Sequence, residues 1–163
     1  MTGPYGPGNP DPARVQAYLG DVASAMAEHG YTLQAVFGSR PGDAFTYTVG
    51  LTGVGLPELW LGTLAPEQAG AILRELVDRI REAHPTGGSL EPGPIDAGFT
   101  VGFRLRGPVD PVEAQVGLAR QMHPLSEVSV MQVLWPDDAG RFPDEAAYDA
   151  GRFPQRLLPV LDS

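Results

Sequence analysis

The stretch from Phe45 to Leu64, FTYTVGLTGVGLPELWLGTL, is the densest apolar and aromatic segment of the chain and constrains its fold most. An alternating run of β-formers, a glycine-rich interruption and a second apolar run cannot continue as one helix. They read as two strands joined by a tight corner. In the first strand Phe45, Tyr47 and Val49 share one face, and Thr46 and Thr48 share the other. The second, Leu59 to Leu64, is short and mostly apolar, the pattern of a central strand. The rest of the chain must cover or extend this sheet.

The flanking segments carry helix and strand signals in a definite order. At 163 residues the chain fits one domain. Residues 1–10 are Pro/Gly-rich and are expected to form a flexible N-terminal segment. A single α+β domain then spans 11–163, with a turn-rich tail over 136–163. Asp11 as N-cap and Pro12 at the first helical position open a helix. Val15, Leu19, Val22 and Met26, with Tyr18 and Ala25, form its apolar stripe. Tyr31 to Phe37 reads as a strand that makes a hairpin with Phe45 to Leu51. Pro66 opens a second helix that buries Ala69, Ile72, Leu73, Leu76, Val77 and Ile80. A loop over Thr86 to Pro94 leads to a strand at Phe99 to Leu105. A third helix starts at the Asp110-Pro111 cap and reaches Met122. Val128 to Trp135 is the fifth strand, and the tail has helical-turn signals at Glu145–Tyr148 and Gln155–Leu158. The order αβββαβαβ predicts a mixed, mostly antiparallel sheet of about five strands with two or three helices on one face.

Charge and missing residue types narrow the function. The net charge is −9, from 20 acidic and 11 basic residues, so nucleic acid and anionic membrane surfaces are poor partners. All the basic residues are arginine; there is no lysine for a Schiff base or a P-loop, and no cysteine for a nucleophile or thiolate metal site. No apolar run approaches the ~18 residues of a membrane span, and the first residues lack a signal-peptide pattern, which points to a cytoplasmic protein. His29, His84 and His123 show no metal-ligand spacing and each ends a helix, so no metal is expected. The glycines of the corner do not form a dinucleotide motif, and no other cofactor motif is present.

Several short motifs occur together. Tyr47-Thr48-Val49-Gly50-Leu51, then Pro57-Glu58-Leu59, then the Pro66 helix, then Gln132-Val133-Leu134-Trp135-Pro136-Asp137 with Gly140-Arg141-Phe142-Pro143, follow in order. On these residues the chain resembles the bacterial DUF4262 family, over roughly Glu28 to Tyr148. The family is named for having no known function, so the resemblance implies no activity. Family members often carry His where this chain has Leu56, and an aromatic where it has Asp144.

Two patches carry candidate chemistry. Glu58, at a strand end beside Leu56, Leu59 and Trp60, is a candidate general base or hydrogen-bond anchor, against a plain exposed acid. Tyr47, if it faces the core, needs a hydroxyl partner, and Glu58 is a candidate; the alternative is a hydroxyl merely satisfied by the fold. The second patch is Trp135, Asp137 and Arg141, which either rims a pocket or fixes a turn. Phe142 and Phe153, in the twin Gly-Arg-Phe-Pro, either dock a partner or tuck the tail onto the sheet. Two readings follow. In the first, the protein binds a small apolar or amphipathic ligand, or a protein segment, between the sheet and the glycine corner, through Thr48, Trp60, Phe103, Trp135, Asp137 and Arg141. In the second, it is a cofactor-independent isomerase, cyclase or hydrolase using Glu58 and Tyr47 as acid and base. Under both, Glu58→Ala should leave the fold intact and abolish function.

Overall fold

A computed structural model describes residues 12–38, 40, 43–124 and 127–161; the side chains of Val15 and Leu19 are outside that description. The expected flexible segment 1–10 and the Asp11 cap also lie outside the described residues. The elements are α1 (Pro12–His29), β1 (Thr32–Val36), β2 (Phe45–Val49), a 3-10 turn (Leu51–Val54), β3 (Glu58–Gly62), α2 (Pro66–Ala83), β4 (Gly93–Ile95), β5 (Phe103–Val109), α3 (Gly117–Met122) and β6 (Val130–Leu134). The six strands form one sheet in the order β1-β2-β3-β6-β5-β4. β3 and β6 pair in parallel, with Glu58 opposite Val130, and every other pairing is antiparallel. The fold is α+β with a mixed, mostly antiparallel open sheet. Among the described residues, no helix is long and apolar enough to cross a membrane.

Three of the four interior strands, β2, β3 and β6, are buried along their whole length. Alternation along β3 divides the core in two. Leu59 and Leu61 face α2, together with Phe103, Leu105, Met131 and Val133. The helix meets them with Ala69, Ile72, Leu73, Leu76, Val77 and Ile80, the stripe expected from its spacing. Each large side chain so buried contributes about 1.5–3 kcal/mol. Trp60 faces the other way, with Phe45, Tyr47, Val49 and Val130. That face is covered by Val22 of α1, by Val116, Leu118 and Ala119 at α3, and by Leu158 of the tail. The helices therefore lie on both faces of the sheet, not on one.

Three elements differ from the sequence reading. The first is β4, an edge strand of three residues at the end of the expected loop, too short and too rich in Gly and Pro to show a period. The second is β5, expected over Phe99 to Leu105, which starts at Phe103 and runs through Gly107-Pro108 to Val109. A register shift between Arg106 and Val109 accommodates these two residues against β6. The third is the helix expected from Asp110, which is helical only from Gly117. Gln115 has φ 56, which no α-helix accepts, and the core takes the neighbouring backbone groups. The Trp60 indole N–H donates to Ala114 O (3.0 Å), and Leu118 N–H donates to the Tyr47 hydroxyl (3.0 Å).

The tail is an extended strap where helical turns were expected at Gln155–Leu158. Two glutamines fasten it by letting side-chain amides do the work of a strand backbone. Gln132 donates to Arg156 O (2.6 Å) and accepts from Leu158 N–H (2.9 Å). Gln155 accepts from Trp135 N–H (3.1 Å) and donates to Trp135 O (2.6 Å). Beyond them Val160 bridges to Val109. Gln132→Ala is expected to lower stability by about 2 kcal/mol, because a buried backbone N–H and a part-buried carbonyl lose their partner. Denaturant unfolding measures this, and a change within about 0.5 kcal/mol would mean the amide does not hold the strap.

Candidate functional site

Glu58 begins β3 and is completely buried. Its backbone is fixed by Glu58 N–H donating to Ser129 O (2.8 Å). Its side chain turns back into the glycine corner, where both carboxyl oxygens act as acceptors. Oε1 receives the Thr48 hydroxyl (2.8 Å) and Leu51 N–H (3.2 Å). Oε2 receives Gly50 N–H (3.2 Å), Thr52 N–H (3.0 Å) and the Thr52 hydroxyl (2.6 Å). The Thr48 hydroxyl in turn accepts from Leu59 N–H (2.9 Å). Three successive N–H groups of the corner thus find their acceptor in one side chain. Gly50 makes this curl possible. Its φ is 125, and a Cβ there would stand 2.8 Å from Gly30 O and 2.9 Å from Tyr31 Cα.

Tyr47 does not meet Glu58. It lies across β2 and β3 from Trp60, its ring 6.0 Å from Phe45, and its hydroxyl accepts from Leu118 N–H at the start of α3. Trp60 stacks on Phe45 at 5.0 Å with its indole N–H on Ala114. Both rings are inside the core on the α1 face, whereas Phe103 is inside the core on the α2 face. Thr48 is buried as a partner of Glu58. Tyr47 and Trp60 on one face and Phe103 and Trp135 on the other do not form one surface.

The second patch lies beyond the C-terminal ends of the parallel pair, at the far end of the sheet from the corner. Trp135 is half-buried, donates its indole N–H to Gly62 O (3.2 Å) and meets Phe153 edge-on at 6.1 Å. Asp137 accepts from Ala139 N–H (2.9 Å), Arg141 N–H (2.9 Å), Arg141 Nε (3.2 Å) and Asp149 N–H (3.0 Å). Burial pushes this carboxyl up, but the N–H groups of Arg141, Asp149 and Ala139 and the Arg141 guanidinium outweigh it. It titrates below the usual aspartate range. Phe142 lies under the Arg104 guanidinium at 4.2 Å, and Arg104 also pairs with Asp144 (3.2 Å). The patch is bonded to itself, to the end of β3 and to the tail.

A cleft of about 390 Å³ opens to solvent on the outer side of the glycine corner. Leu56, Pro57, Leu90, Pro108 and Met131 give it apolar walls, and Thr52, Ser89, Glu127 and Ser129 are its polar groups. The sequence reading missed the 88–90 loop, Pro108 and the residues before β6. The signal was the Gly87-Gly88 pair, since a Cβ on Gly87 would stand 2.5 Å from Val54 O, and Gly88 N–H donates to Gly55 O (2.9 Å). Leu56, where a histidine is frequent in relatives, is buried in the α2-face core.

The histidines lie apart. His29 lies against Arg81, which donates to its carbonyl (3.0 Å); His84 ends α2; and His123 packs near Gly53 with its Nε2 buried and unpartnered. Among the described residues, no three His, Asp or Glu side chains are grouped to hold a metal ion.

A family model described as a domain of unknown function, DUF4262, matches residues 25–149. The chain belongs to this family. Neither a curated protein nor a solved structure matches it. The DUF4262 match runs from late α1 to the turn after Asp137 and contains the whole Glu58 corner. The strap from Gln155 onward lies outside it. In this DUF4262 protein Glu58→Ala is expected to lower stability by at least about 3 kcal/mol, because several buried donors lose their acceptor together. This reverses the sequence-based expectation of an intact fold. Chemical denaturation of the variant decides the matter; a loss under about 1 kcal/mol would show that the corner holds without the carboxyl.

Proposed function

We propose that this DUF4262 protein is a binding module that takes a small amphipathic ligand in the cleft beside the glycine corner. The observation that carries the reading is the cleft itself. Its volume of about 390 Å³ falls in the range of small-molecule sites. Apolar walls suit the body of such a ligand, and the hydroxyls of Thr52, Ser89 and Ser129 with the carboxyl of Glu127 suit its polar end. Glu127 favours a ligand that brings a hydrogen-bond donor, such as an amine or a hydroxyl. One wall is rigid, because Glu58 holds residues 50–52 from behind. A wall that does not need ordering on binding favours affinity.

The enzyme reading draws no support from its two proposed residues. Glu58 is enclosed by five donors and Tyr47 is bonded to α3, so neither reaches a substrate in this cleft.

Two-dimensional NMR against a set of small amphipathic amines and alcohols tests the proposal. Saturable shifts are expected at the amides of Gly55, Gly88, Ser89 and Ser129. Ser89 is exposed, so Ser89→Trp should fill the mouth of the cleft without disturbing the core, and the shifts should vanish. Shifts that persist in Ser89→Trp, or that map to another part of the surface, would contradict the assignment.

A further inference from the structure

A second cleft, of about 360 Å³, lies between the end of α1, the start of β1 and the exposed side of α2, and its chemistry differs from that of the first. His29, Tyr31, Arg74, Asp78 and Arg81 line it. In a chain with 20 acids and 11 arginines, a guanidinium has many possible carboxyl partners. Arg40, Arg79, Arg104, Arg141 and Arg152 each have one. Arg74 and Arg81 form no ion pair with any carboxyl among the described residues, and both face this cleft.

The fold holds these two groups in place by other means. Arg81 donates from Nη1 to His29 O (3.0 Å), and its guanidinium lies 5.9 Å from the Tyr31 ring centre. Arg74 lies back over Gly70, where a Cβ would be 3.6 Å from its Nη1 and equally close to Leu33. Asp78 stands one turn after Arg74, a spacing at which the two readily pair, yet they do not. Tyr31 senses all three charges. Burial raises its pKa, Asp78 raises it further, and Arg74 and Arg81 lower it by less, so its hydroxyl remains a donor.

The cleft thus presents two guanidinium forks without carboxylates and one carboxyl without a cation. Guanidinium forks match a carboxylate in shape and charge. The acid beside them disfavours a simple polyanion, and the arginines disfavour a simple cation. We propose that this cleft binds a small zwitterion of the amino-acid type, with its carboxylate on Arg74 and Arg81 and its ammonium on Asp78. The site is separate from the corner cleft and does not depend on it.

The test is an NMR titration that follows the side-chain Nε–H signals of Arg74 and Arg81 and the Tyr31 ring. The probes are alanine, propionate, ethylamine and inorganic phosphate. Alanine should give saturable shifts, and propionate should bind about tenfold more weakly, the loss of one hydrogen bond to a charged group. Ethylamine and phosphate should bind more weakly still. Arg74 and Asp78 are exposed, so their replacement does not touch the core. Arg74→Gln should weaken alanine about tenfold, and Asp78→Asn should remove the preference for alanine over propionate. Ser89→Trp should leave alanine binding unchanged. The absence of a saturable shift with alanine, equal binding of propionate by the native protein, tighter binding of phosphate, or alanine binding unchanged in Arg74→Gln would each overturn the proposal.

Discussion

The carboxyl group of Glu58 is the contact on which the rest of the structure depends. A chain that leaves β2, turns through glycines and returns as β3 must bury the N–H groups of its corner, because that corner lies under the end of α1. Buried N–H groups without acceptors are costly. One side chain at the start of β3 accepts from Gly50, Leu51 and Thr52 and from the hydroxyls of Thr48 and Thr52. The corner, the two strands and the packing of Gly30 and Tyr31 against Gly50 are therefore set together. The outer surface of the same corner forms a wall of the proposed ligand cleft.

The same device recurs elsewhere in the molecule. Polar side chains satisfy backbone groups of segments that have no regular partner. Trp60 bonds the irregular stretch before α3 and Tyr47 its first turn, Gln132 bonds the strap, Gln155 of the strap bonds Trp135, and Asp137 bonds the turn after β6. This explains how a chain with 21 glycines and 17 prolines forms a well-filled core. The irregular segments are held by specific side chains, so little is left to turn propensity.

The sheet and α2 were legible because their signals are local. The alternation of Phe45 to Val49, the apolar run of β3 and the 3.6-residue stripe of α2 need no knowledge of the rest of the chain. The division of the helices between two faces was not legible, since it depends on which face of the sheet α1 and α3 reach. The shortened α3 was not legible either, because its N–H and C=O groups are taken by Tyr47 and Trp60 from about sixty residues away. Glu58 stood out as a charge among apolar residues, but two opposite roles fit that pattern. The hydroxyls of Thr48 and Thr52, ten and six residues earlier, are what distinguish an anchor from a base. The basic cleft was invisible, because the question is which arginines stay unpaired after folding.

Hydrogen exchange of the corner amides tests the central claim most directly. If Glu58 holds the corner, the amides of Gly50, Leu51 and Thr52 open only with the sheet and exchange as slowly as that of Leu59 in β3. Exchange of these three amides at the rate of free, solvent-exposed amides, while Leu59 stays protected, would contradict the account.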